Sequence, residues 1–386
     1  MLNKNIYFNH TSPKTKKYLR NLKETKKKFQ LLKKEVNNLK NPLLNSFEKN
    51  YPLDFTPKII KKFSNFKNIV VLGMGGSILG TKSIYYFFKN TIKKKVFFFD
   101  NLELDINTKL SKVKKISNSC FIVISKSGNT LETITNLNFV FSKIKIKNNL
   151  VFITELKDSS LMRIANKYNA EIIEHKNFIG GRYSVLSEVG MFPASLMGLD
   201  IQKFKNLNKL INNKNFVNCL IQNVAFMYTL YNQKIKNSVV FSYDTKLNEL
   251  SYWYQQLIAE SLGKKKHGIN PIVSFGPKDH HSMLQLYLDG PKDKFFTFLS
   301  SENSRDIKKI STVISAQCQA TKNIFKKKKI SFRHFVFNKN DESELGLVFM
   351  YFILETILLA KLMKVNAFDQ PAVESIKAET KKILRR

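Results

Sequence analysis

Between about residues 14 and 39, apolar residues recur at helical spacing (Tyr18, Leu22, Phe29, Leu32, Val36, Leu39) with lysines between them. That pattern predicts an amphipathic leading helix. Asn41-Pro42 and Tyr51-Pro52 then punctuate the chain, because a residue before proline avoids the helical region. From Asn68 the period changes. Short apolar runs at 69–72, 96–99, 120–124, 150–153 and 171–173 alternate with helix-length segments such as 83–89 and 131–142. Strands and helices alternating in this way specify a parallel sheet covered on both faces.

A helical stretch around 204–233 precedes a second series, with strands expected at 239–243, 272–275, 294–298 and 332–337. Helices are expected at 247–262, 281–286 and 345–363, and a closing helix at about 372–384. The fold class is therefore α/β, as two doubly wound, mainly parallel lobes flanked by helices. The expected division is an N-terminal helical segment (1–54), a first lobe (55–200), a second lobe (201–364) and a C-terminal helix (365–386). Ligands in such folds sit outside the carboxyl ends of the strands.

Composition changes this picture little. The 386 residues are 43% hydrophobic and 12% aromatic, which fits packed lobes and not a disordered chain. The formal charge of +36 raises a nucleic-acid reading. Its lysine runs (26–28, 93–95, 264–266, 326–329) are scattered, however, without the aromatic and glycine pattern of an RNA-binding sheet. A solvated lysine surface that attracts anionic metabolites is the better reading. Cys120, Cys219 and Cys318 show no metal or disulfide spacing. The first ten residues show no signal-peptide pattern, and the apolar stretch 345–363 is interrupted by Glu355 and Lys361. A cytoplasmic protein without specific nucleic-acid or membrane partners is expected.

Six segments carry candidate chemistry. Gly73, Gly75, Gly76, Ser77 and Gly80 follow the first strand, where glycines let backbone approach a ligand, though Ile78 breaks the dinucleotide pattern. Ser125, Lys126, Ser127, Gly128, Asn129 and Thr130 follow the third strand. Hydroxyls and backbone amides at such a corner suit a phosphate monoester. Arg182 stands beside Gly180 and Gly181 as a fixed cationic fork. Gln256 and Glu260 share one helix face, which suits a partly desolvated base, although a surface pair of Glu260 with Lys264 is the plainer reading of that spacing. His280 and His281 are adjacent without a third metal ligand. The last segment, Asn366 to Lys377, includes Gln370 and Pro371.

In this order the six segments resemble the glucose-6-phosphate isomerase (phosphoglucose isomerase) family of bacterial type, over about residues 69–377. The most specific matches are GGRYSVLS, YQQLIAES and NAFDQPAVE. The resemblance implies two sugar-isomerase (SIS) lobes, a homodimer, and no metal or organic cofactor. It implies the cytoplasmic interconversion of glucose 6-phosphate and fructose 6-phosphate in glycolysis and gluconeogenesis. Ser125, Lys126, Ser127 and Thr130 would hold the phosphate, with Gly76 and Ser77 bordering the sugar. Glu260 would be the base, with Gln256 beside it and Arg182 stabilising the enediolate. His281, from the partner subunit, and Lys377 would assist ring opening, and Gln370 would touch substrate. Ala372 departs from the glycine usual after the FDQP turn. A dual glucose/mannose phosphate isomerase and a non-enzymatic phosphosugar sensor are the alternatives.

Overall fold

The computed structural model describes residues 6–7, 15–113, 116–144, 148–301 and 308–384. The described strands are β1 (Ile6–Tyr7), β2 (Asn68–Leu72), β3 (Lys95–Phe99), β4 (Ser119–Ile124), β5 (Leu150–Thr154), β6 (Glu171–Glu174), β7 (Asn237–Ser242), β8 (Asn270–Phe275), β9 (Lys294–Ser301) and β10 (Phe332–Phe337). They form two sheets. The first is wholly parallel in the order β3-β2-β4-β5-β6. Its central strands β2, β4 and β5 are buried along their whole length, as expected of strands covered on both faces.

The second sheet runs β1-β10-β9-β7-β8, parallel except for β1, which pairs antiparallel with β10. The helical N-terminal segment therefore also lends a strand to the far lobe, a pairing across more than 300 residues that local pattern does not show. The leading helix, Lys16–Asn37, starts on a Thr15 cap and buries Tyr18, Phe29, Leu32 and Val36. Its Asn21 Nδ2 donates to Thr229 Oγ1 at 2.8 Å. The stretch expected as one helix at 204–233 is broken into Leu207–Ile211 and Lys214–Asn232.

One core cluster runs between the sheets and includes the helix Glu342–Met363. That helix is long and apolar enough to cross a membrane by length and composition, yet 89% of its apolar window is buried within the protein. Its Glu355 is fully buried and paired with buried Arg333, and both bond the Tyr254 hydroxyl, at 3.1 and 3.0 Å. Tyr254 lies on the helix Asn248–Leu262, whose Trp253, Leu257, Ile258 and Leu262 are also buried. Lys82 adds a tie to Glu249 in its first turn at 3.3 Å. These contacts hold the helix in one rotation about its axis, and its remaining face carries Gln256 and Glu260.

Candidate active site

The site lies at the carboxyl ends of β2 and β4, where the first sheet reverses its order and neighbouring turns diverge. After β2 the chain turns through Gly75, at φ +53°, into a short 3-10 helix Gly75–Ser77. A Cβ on Gly76 would lie 2.2 Å from the Gly181 carbonyl carbon and 2.6 Å from the Arg182 nitrogen. Only glycine lets these two backbones meet. Ser184 Oγ donates to the carbonyls of Gly76 at 3.2 Å and Gly181 at 2.8 Å, which locks the turn against the 3-10 helix Gly181–Leu186.

After β4 the chain forms the hydroxyl-bearing loop. Gly128 has φ +69°, and a Cβ there would strike Ser159 Oγ at 2.2 Å. Ser125 Oγ and Thr130 Oγ1 share a hydrogen bond of 2.8 Å. Ser127 is exposed, and its Oγ accepts from the Asn129 amide at 3.3 Å. Thr130 precedes the helix Leu131–Lys143 without its side chain capping that helix. The capping role that would explain these hydroxyls structurally is thus absent at Thr130. Thr133 Oγ1, three residues on and so on the same helix face, is buried with no hydrogen-bond partner among the described residues. The sequence reading passed over it, although its place in SGNTLET was visible. Lys126 Nζ donates to the Asn177 carbonyl at 2.6 Å and sits 3.9 Å from Glu155. Burial is the main influence lowering its pKa, with the nearby Lys157 and Arg182 charges adding to the shift.

Arg182 is the hub. Its side chain is 2% exposed. Nε donates to Ser261 Oγ at 2.8 Å; Nη1 donates to Glu260 Oε2 at 3.1 Å and to Gln370 Oε1 at 2.8 Å. Nη2 donates to the carbonyls of Ala367 and, at 3.0 Å, Asp369. Tyr183 donates its hydroxyl to the Ala367 carbonyl at 2.9 Å and packs against Phe368 at 5.7 Å between ring centroids. The segment bearing Gln370 is thereby strapped onto the site. Tyr183 and Ser261 are supporting residues that the motif reading quoted without a role.

Glu260 is held on both oxygens, by Arg182 and by Gln256 Nε2 at 2.8 Å on Oε1. The plainer reading of Glu260 with Lys264 does not hold. Lys264 Nζ instead donates to the carbonyls of Glu260 at 2.7 Å and Ser261 at 2.9 Å, and lies 3.5 Å from Asp369. A cation at a helix C-terminus satisfies orphan carbonyls, and the carboxylate is left to Arg182 and Gln256. Gln256 Oε1 is buried without a partner among the described residues. The Gly75 turn comes to the same place, since a Cβ there would lie 2.9 Å from Gln256 Nε2.

The structure thus brings together Gly76, Arg182, Gln256, Glu260 and Gln370. The Ser125–Thr130 loop follows on the adjoining strand, with Gly73 between it and the Gly75 turn, 3.2 Å by its notional Cβ from the Ile124 carbonyl. Two expected residues do not join this cluster within the chain. His281 ends a 3-10 helix, Lys278–His281, is exposed, and has no side-chain hydrogen bond among the described residues. Its neighbour His280 is tied to Tyr243 Oη at 2.6 Å, and burial lowers its pKa. Lys377 lies on the helix Val373–Ile383, is 60% exposed and pairs with Glu374 at 2.7 Å.

A model of the phosphoglucose isomerase family matches residues 53–283. The glucose-6-phosphate isomerase of Methanocaldococcus jannaschii is 35% identical over 341 residues, 82% of this chain and 84% of the relative. That of Campylobacter jejuni is 31% identical over 362 residues, 86% and 89% of the two chains. Among solved structures, a hypothetical protein from Thermus thermophilus superposes with a TM-score of 0.82 at 22% identity, covering 95% of this chain and 96% of that one. A glucose-6-phosphate isomerase from Chlamydia trachomatis superposes with a TM-score of 0.73 at 20% identity, covering 85% and 71%. The solved structures speak for the two-lobed fold, and the sequence relatives together with the family match establish that the chain belongs to the phosphoglucose isomerase family.

Proposed function

We propose that this site interconverts D-glucose 6-phosphate and D-fructose 6-phosphate, with Glu260 carrying one proton between C2 and C1. The observation that carries the reading is the Glu260 carboxylate, held by Arg182 at 3.1 Å and Gln256 at 2.8 Å on the face its helix leaves unburied. The relatives named for this reaction support it. Aldose–ketose exchange requires an opened sugar, a proton taken from one carbon and returned to its neighbour, and charge held on the enediolate oxygens. One carboxylate serves both transfers because both carbons present the same face of a cis-enediol. A positioned base contributes about 10²–10⁴-fold. Arg182, desolvated and fixed by five donated bonds, is suited to the developing negative charge. The Ser125, Lys126, Ser127 and Thr130 loop would hold the phosphate, remote from the reacting carbons, and so keep them in register. Ser77 and Gly76 would border the sugar.

His281 and Lys377 belong to this reading as ring-opening groups in a homodimer, with His281 supplied by the partner. Their exposure within one chain supports it. The Val373–Ile383 helix has no buried residue, and it presents Ile376 (71% exposed) and Ile383 (60%). A second copy would cover this face. A metal-independent reaction in the cytoplasm completes the proposal.

The test is a coupled assay of purified protein for fructose 6-phosphate conversion to glucose 6-phosphate, with and without a chelator. Turnover unaffected by chelator is expected. Absence of turnover beside intact fructose 6-phosphate binding would leave a sensor, and equal turnover of mannose 6-phosphate a dual isomerase. Mixing inactive Glu260→Gln and His281→Ala chains should restore part of the activity. No recovery after subunit exchange would place His281 outside the shared site.

A further inference from the structure

The second sheet repeats the reversal that positions the first site. In the first sheet the chain leaves β2 for β3 on one side and then crosses to β4 on the other; in the second it leaves β7 for β8 and then crosses to β9. The carboxyl ends of β7 and β9 are therefore a second topological switch point. A cavity of about 410 Å³ opens there, and its lining includes Thr245, Ser300, Ser301, Gln319, Lys322 and His334.

The polar groups in it are arranged around the Lys322 ammonium. Lys322 is partly buried, and among the described residues no carboxylate lies within 4.0 Å of its Nζ. Lys82 and Lys294, by contrast, each meet a carboxylate, at 2.7 Å on Asp100 and 2.5 Å on Asp293, while the buried Lys205 has none among the described residues either. The hydrogen bond that Lys322 makes is to His334 Nδ1, at 3.1 Å, while His334 Nε2 meets Ser300 Oγ at 2.8 Å. Burial, reinforced by the Lys322 charge, lowers the His334 pKa to about 3 and keeps the ring neutral. An ammonium can only donate, so Nδ1 accepts and the ring proton sits on Nε2. Nε2 then donates to Ser300 Oγ, which leaves the Ser300 hydroxyl proton and two Lys322 N–H groups without an acceptor among the described residues. The acidic residue in the lining, Asp244, is already met by the Ser301 hydroxyl, the Lys246 amide at 3.0 Å and the Lys246 ammonium at 3.5 Å.

We infer that the second lobe carries its own anion site, in which Lys322 and Ser300 bind the phosphate of a small phosphate monoester at the β7/β9 switch point. The proposal goes beyond the isomerase reading and does not depend on turnover at the first site.

The experiment counts bound phosphate by equilibrium dialysis with ³²P-labelled inorganic phosphate on the full chain. Wild type should take up two equivalents per chain. Lys322→Met, which keeps the apolar stem, should retain one, with isomerase kcat and melting temperature unchanged. Ser300→Ala should weaken the same equivalent several-fold and serves should Lys322→Met fold poorly. A chain altered in the first site, Ser127→Ala with Thr130→Ala, should keep the Lys322-dependent equivalent. Uptake that is the same in wild type and in Lys322→Met overturns the inference. Unlabelled fructose 6-phosphate should displace both equivalents; displacement of one alone would overturn the monoester assignment and leave a site for the free ion.

Discussion

Glu260→Gln tests the proposed proton carrier apart from its surroundings. The replacement is nearly isosteric. Its amide oxygen can still accept from Gln256 Nε2, the bond now 2.8 Å long. Its amide nitrogen would face Arg182 Nη1 where Oε2 accepts at 3.1 Å, so one charge-assisted bond is lost. Such bonds are worth about 1.5–3 kcal/mol, and the lower end applies because the Glu260 side chain is 29% exposed. Arg182 keeps its bonds to Ser261, Gln370, Ala367 and Asp369, so the strap over the site stays in place. The fold should lose only about 1 kcal/mol, a minor part of ordinary stability. If Glu260 is the base, as proposed, the chemistry loses about 10²–10⁴-fold in kcat, or roughly 3–5 kcal/mol of barrier. The coupled assay reads kcat and KM, and ¹H NMR in deuterium oxide reads solvent deuterium entering C2 of glucose 6-phosphate. Expected are a kcat fall of at least 10²-fold, little change in KM and no deuterium uptake. Turnover within tenfold of wild type, or deuterium entering at the wild-type rate, would remove Glu260 from proton transfer.

Two further outcomes follow from the same structure. Ser127→Ala with Thr130→Ala removes two donors proposed to meet the phosphate, so KM should rise by about 10²-fold with kcat within a few-fold; an unchanged KM would count against that role. His175, 1% exposed and with Nε2 unpartnered among the described residues, has its pKa lowered to about 4, chiefly by burial and secondarily by the Lys126 charge. Between about pH 6.5 and 4 the unfolded chain binds a proton there that the folded chain does not, so stability falls as pH falls through that window. At pH 5 this group should account for a loss of about 2 kcal/mol relative to pH 7.5. Urea unfolding of His175→Gln should show an acid loss smaller by that amount; an equal loss in both chains would refute the assignment.

Strands β2 to β10 were legible because each is a short apolar run bounded by polar residues, and buried parallel strands read in that way. Helices failed where period failed. Glu188–Leu196 is buried nearly all round and contains Pro193, so it shows neither an amphipathic stripe nor an uninterrupted run. Lys308–Lys327 keeps Ile310 (60% exposed) and Val313 (57%) facing outward, which blurs the helical stripe. The β1 pairing depends on a partner hundreds of residues away, and no local spacing carries it.

The site shows the same division between local and distant contacts. Spacing correctly put Gln256 and Glu260 on one face, and wrongly offered Lys264 as the partner of the Glu260 carboxylate. An i, i+4 pair has to compete with every other acceptor in reach, and here the helix-end carbonyls win the ammonium. Arg182 is 78 residues from Glu260 and 188 from Gln370, so its role could come only from the family resemblance or from the fold. The core nevertheless constrains the chemistry. With Trp253, Tyr254, Leu257, Ile258 and Leu262 buried and Tyr254 tied to Arg333 and Glu355, only one face of that helix remains for polar side chains. The direction of Glu260 is thus set by the apolar residues around it, and Arg182 needs only to meet a carboxylate that packing has already aimed.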